Sequence, residues 1–226
     1  MFHSYKPMRL IPHLLALFIL FPFVSVLAQS RPITAEEYNA VFESAGIETN
    51  AAFPFIFTVT TDFIENGKIV STVTEIDERE SQVRERITTT TVTRGKTMRK
   101  YQVTVDTGKV YCSDDGVSWK PPSPYECSGP VSFYGRRTPE SVEYSAEQKS
   151  LNGKKVKVYR EYSVFASSTP NGKKEFRDEI STIDSRGFLI NIVTTEGTLD
   201  PRTVTLIRKQ SWDANTKIKS IVAPIK

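Results

Sequence analysis

From Phe53 onward the chain alternates apolar and polar positions with a period of two, the mark of a half-buried β-strand. Phe53, Phe55, Phe57, Val59 and Phe63 fall on one face of an extended segment; Ile56, Thr58, Thr60 and Asp62 fall on the other. The turn Glu65-Asn66-Gly67-Lys68 follows. Asn-Gly is the strongest short hairpin signal, because a type I′ turn needs positive φ at both central residues. The triplet returns at Asn152-Gly153-Lys154 and Asn171-Gly172-Lys173, with looser forms at Arg94-Gly95-Lys96 and Thr107-Gly108-Lys109. Further turns are expected at Asp115-Gly116, Arg186-Gly187 and Glu196-Gly197. Strands are predicted near 53–63, 69–77, 84–94, 97–106, 109–113, 142–150, 155–166, 174–184, 188–195 and 202–212, with a short edge strand over 218–225. The charged segment 75–86 fits either a helix or a long exposed ribbon.

One helix is signalled, over about 34–45. Thr34 and Glu37 form a capping box, and Ile33 with Tyr38 has the spacing of a hydrophobic staple. Tyr38, Val41, Phe42 and Ala45 make one apolar stripe; Gly46 and Ile47 suit its C-terminal cap. The predicted fold is therefore mainly β: a curved antiparallel meander, an unclosed half-barrel, with one N-terminal amphipathic helix packed on it.

Before the helix the pattern is neither helix nor strand. Lys6 and Arg9 precede an almost wholly apolar run, Leu10 to Leu27, and Val26-Leu27-Ala28 has the form of a signal-peptidase site before Gln29. Residues 1–28 are thus expected to be a signal peptide and 29–226 a single β-rich domain, exported to the periplasm or secreted. Pro12, His13 and Pro22 interrupt the run and weigh against an uncleaved anchor, so no stable membrane span is expected after cleavage. The chain has 30 Lys and Arg against 26 Asp and Glu. Two of those bases lie in the removed segment. The near balance that remains, with bases spread along the chain, does not suit nucleic-acid binding.

Cleavage would also remove both histidines, His3 and His13. Without imidazole, Ser-His-Asp and Cys-His catalysis and imidazole-based metal sites are excluded. No catalytic, cofactor-binding or metal-binding residue is assigned, and no cofactor is expected. Carboxylates remain, so a two-carboxylate hydrolase stays open as an alternative, with two acids facing each other across a cleft. The acids near Glu75-Asp77 and Asp178-Glu179, however, look like solvated strand faces, as does the stripe Lys155, Lys157 and Tyr159. Ser113-Asp114-Asp115-Gly116-Val117-Ser118-Trp119 is one residue short of an Asp-box turn and has the form of a hairpin tip with Trp119 behind it. Cys112 and Cys127 are expected to form a disulfide in an oxidising compartment. The aromatic row Phe53, Phe55, Phe57 and Phe63 has two readings: core beneath the helix, or the lining of an apolar ligand site.

Three stretches give a family likeness: Leu151-Asn152-Gly153-Lys154-Lys155-Val156, Ile183-Asp184-Ser185-Arg186-Gly187-Phe188-Leu189, and Trp212-Asp213-Ala214-Asn215-Thr216-Lys217-Ile218 running on to Ala223-Pro224. With the order of signal, helix and meander, they resemble the LolA/LolB and LppX-like superfamily of bacterial envelope proteins. Ser181 and Thr182 stand where that family usually has a Trp before the Asp turn. The resemblance implies an unclosed barrel whose apolar interior holds lipid or acyl chains, without catalysis. The expected partners are thus a lipid or other apolar ligand, or an envelope protein; the alternative is a structural or protein-interaction module of the envelope.

Overall fold

The computed structural model describes residues 30–45, 53–106, 109–120, 137–167, 172–213 and 216–224. The expected signal peptide lies outside them, as do Gly46, Ile47, Asn171 and Cys127. Two five-stranded meanders make up nearly everything described. The first runs through β2 (Phe55–Glu65), β3 (Lys68–Ser81), β4 (Arg84–Thr93), β5 (Lys96–Val105) and β6 (Lys109–Ser113). The second runs through β7 (Ser141–Leu151), β8 (Lys154–Phe165), β9 (Glu175–Asp184), β10 (Leu189–Thr198) and β11 (Thr203–Asp213). A two-residue strand, β1 (Arg31–Pro32), adds to the outside of β7. The order is β1-β7-β8-β9-β10-β11-β2-β3-β4-β5-β6, antiparallel at every step, in one unclosed sheet of 11 strands. The two meanders meet where β11 pairs with β2.

The hairpin chemistry works as the sequence implies. Asn66 and Gly67 have φ of 50° and 73°, and Asn152 and Gly153 have φ of 51° and 77°. Both pairs supply the two left-handed positions that a type I′ turn demands. The ambiguous segment is a ribbon: β3 continues to Ser81 and turns through Gln82 and Val83 into β4.

Helix α1 (Ala35–Ala45) begins at the expected capping box. The Thr34 amide donates to Glu37 Oε2 at 3.1 Å, and the Glu37 amide donates to Thr34 Oγ1 at 3.2 Å. Its stripe then packs on one face of the second meander, called here the inner face. Tyr38, Tyr159, Ile183 and Leu189 are buried together, with Ile33, Val41, Phe42, Tyr144, Ile192 and Trp212 against them. Tyr38 lies 4.7 Å, centroid to centroid, from both Phe42 and Tyr144. Tyr159 therefore belongs to the core and not to a wet strand face, because α1 covers the position that alternation alone leaves open.

Three expectations change. Gly197 is no turn. It sits buried inside β10 at a shift in register with β11, and the chain reverses at Leu199–Arg202 instead. Residues 216–223 form no edge strand; Ile221, 2 % exposed, packs with Val103, Val105 and Tyr111 on the face opposite the helix. The Ile221 amide donates to Glu80 Oε2 at 3.0 Å, so a side chain does what a ladder would have done. Asp115-Gly116 closes a local loop and not a two-stranded hairpin. Asp115 Oδ1 accepts from the Val117 and Ser118 amides at 2.8 and 2.7 Å, while Trp119 packs beside the Val103 cluster.

Candidate ligand-binding face

Directly opposed residues of neighbouring antiparallel strands share a face. Phe57 stands opposite Trp212 on one side and Asp77 on the other, so all three lie on the inner face with the helix. The Phe57 and Trp212 rings are 4.8 Å apart at 30°. Trp212 in turn touches the helix cluster, giving an aromatic band from Tyr144 through Tyr38 and Phe42 to Trp212 and Phe57.

The four phenylalanines of the sequence-predicted row do not act as one surface. Phe55 is buried and Phe57 half-buried, whereas Phe53 and Phe63 are 39 % and 41 % exposed. Phe53 and Phe55 pair at 5.4 Å, and Arg79 lies over the Phe55 ring at 5.8 Å. Phe63 stands apart, beyond the buried Thr61 and opposite Leu206. Strand alternation put all four on one side; the helix covers only part of that side.

Next to Phe57 is a group that the sequence alone assigns to a solvated strand face. Asp77 is 3 % exposed, contrary to a solvated strand face. Its Oδ2 accepts from Arg79 Nε at 2.8 Å, and the same Nε lies 3.1 Å from Glu85 Oε1. Among the described residues Asp77 Oδ1 has no hydrogen-bond partner. Burial, and then the negative charge of Glu85, push the Asp77 carboxyl up to about 7, against the pull of Arg79. Period two from Arg79 puts Asp77 on the same face, but only the register with β2 and β4 shows that this face is dry at this point. The two acids lie side by side on one guanidinium and do not face each other across a cleft, the arrangement a two-carboxylate hydrolase requires.

A second polar nest lies farther along the inner face. Ser163, 1 % exposed, donates to Glu161 Oε1 at 3.0 Å, Thr194 donates to Glu179 Oε2 at 3.4 Å, and Arg177 pairs with Glu179. Burial, followed by the charges of Glu179 and Glu161, holds the nearby Tyr38 phenol well above its ordinary value. The inner face thus has an aromatic end and a charged end. On the opposite face Asp178 accepts two bonds from Arg160, at 2.7 and 2.8 Å. Among the described residues no group of three or more acids, cysteines or histidines is placed to hold a metal ion. No described helix is long and apolar enough to cross a membrane. Cys112 lies on β6 opposite Gln102; its expected partner is outside the described residues.

No protein-family model matches this chain, and no curated protein matches it in sequence.

Proposed function

We propose that this chain is an exported envelope protein that holds an apolar ligand, a lipid or acyl chain, against the aromatic end of the inner face. The observation that carries the reading is the band of Phe53, Phe55, Phe57 and Trp212. It continues the helix-covered core sideways, yet Phe55 and Phe57 belong to neither of the core clusters among the described residues. Phe53 is 39 % exposed and Phe57 and Trp212 are partly exposed around the buried Phe55, and an apolar strip of this kind, past its covering helix, is the surface an apolar ligand would complete. The likeness to the LolA/LolB and LppX-like proteins supports the same reading. Binding requires no catalysis: Asp77 and the Glu161–Glu179 nest would set the polar limit of the strip.

Native mass spectrometry of protein recovered from its own envelope tests this. The expected result is a bound lipid-sized mass that is lost on detergent exchange. A titration with a long-chain fatty acid supplies the second arm. The chain has two tryptophans, so a Trp119→Phe variant leaves Trp212 as the sole indole reporter. Its emission should shift on binding, and Phe57→Glu should abolish the shift. Protein that is repeatedly empty and silent to the fatty acid would overturn the reading.

A further inference from the structure

Among the described residues the outer edge of β5 is half bare. β6 pairs only with Tyr101–Val105, so among the described residues Lys96–Lys100 has β4 on one side and no strand on the other. All five residues are exposed, Met98 to 64 %. The same stretch, with the turn before it, carries Arg94, Lys96, Arg99 and Lys100, none of which has an acidic partner among the described residues. A bare edge offers a row of backbone donors and acceptors, and an added strand satisfies them.

We propose that Lys96–Lys100 is a docking edge for an acidic extended peptide segment of a partner protein, which joins the sheet as a twelfth strand. Charge selects the occupant. A second copy is disfavoured: antiparallel pairing of two such edges about Met98 would set Lys96 against Lys100 twice, and like charges directly opposed are destabilising. An acidic segment reverses the sign of each contact. Lys96, Met98 and Lys100 share one face, while Thr97 and Arg99 share the other. A strand with acids at alternate positions can therefore place them beside Lys96 and Lys100, or beside Arg99, according to its register. An anionic lipid or nucleic-acid surface would meet the charges but leave the backbone edge unpaired, so the free ladder favours a peptide. This edge is remote in strand order from the helix-bearing half of the sheet and does not depend on the ligand reading.

The test uses the full exported chain and a blocked heptapeptide of alternating Val and Glu. Amide shifts in NMR should concentrate at Lys96–Lys100, and affinity should fall with salt. Two further peptides carry N-methyl groups on the two alternate sets of amides. Only one set faces the sheet, so one peptide should lose binding and the other keep it. The double variant Lys96→Glu/Lys100→Glu, confirmed as folded by its melting curve, should weaken binding about tenfold. Several outcomes would overturn the proposal: equal binding of both N-methylated peptides, no binding of the parent, or preference of the same residues for anionic phospholipid vesicles or single-stranded DNA over the peptide. Silence from all probes would leave the lysines as guards against edge-to-edge aggregation and would equally sink it.

Discussion

Phe57 of β2 and Trp212 of β11 oppose each other across the seam of the two meanders, ring centroids 4.8 Å apart. Apart from the two-residue β1, every other pairing joins strands adjacent in sequence; this one joins the ends of the described sheet's long strands. Its closure entropy must be offset by contacts along β2 and β11. Trp212 also touches the helix cluster, so it ties seam and helix together. Trp212→Ala should lower stability by roughly 2–3 kcal/mol, below the range for a fully buried aromatic because Trp212 is only half-buried. Trp212→Phe should recover most of it. Urea unfolding measures both; a loss under about 0.5 kcal/mol, the level of an ordinary surface change, would mean the backbone ladder alone holds the seam.

Asp77 gives a pH dependence of unusual sign for a carboxylate. Its folded value of about 7 lies above the unfolded one, so the folded chain keeps a proton that the unfolded chain releases. The stability tied to that proton is complete below about pH 4 and is lost as pH rises toward 7, at most on the order of 4 kcal/mol. Asp77→Asn keeps an acceptor for Arg79 and offers a donor to Glu85. The variant should gain on the wild type between pH 5 and 8, the difference growing with pH. Denaturant titrations across that range would show parallel curves if the Asp77 carboxyl were ordinary.

Gly197 is fixed by its neighbours. A Cβ there would lie 1.9 Å from the Thr203 carbonyl oxygen and 2.9 Å from Phe176 Cε1, and Phe176 is 1 % exposed. Backbone cannot yield as a flexible side chain can. Gly197→Ala should cost about 3 kcal/mol, the upper part of the range for overpacking. Gly153→Ala, in open space at φ +77°, should cost only about 1 kcal/mol from the left-handed backbone. Equal thermal shifts in the two variants would contradict this.

Gly197 also shows where sequence reading stops. Alternation in Phe55–Phe63, the Asn-Gly turns and the Thr34–Glu37 cap are local signals, and the strands and helix follow them. Glu196-Gly197 carries the same local signal as a turn, but Gly stands there because Phe176 and Thr203 approach across strands, which no window of β10 reveals. Asp77 is the same case at the candidate site. Its own strand places it beside Arg79; its burial depends on the strands paired on either side, with Phe57 opposite it on β2 and Ile87 opposite it on β4. β1 was invisible because two residues carry no period.

The expected Cys112–Cys127 bridge can be tested by its effect on the sheet's end. β6 is five residues long and, among the described strands, pairs with β5 alone, so Cys112 sits on a short ladder at the sheet's end. A loop of that length, if tied, restricts the unfolded chain by about 3 kcal/mol. Protein recovered from an oxidising compartment should show no thiol on alkylation without reductant and two after reduction. Cys112→Ser should lower stability by about 3 kcal/mol in oxidising buffer and by much less in reducing buffer, where the wild type has already lost the tie. Hydrogen exchange should then quicken first at Tyr101–Val105, the residues that β6 covers. Two alkylated cysteines in the oxidised protein, or unchanged exchange at those amides, would remove the bridge from the account of how this edge is held.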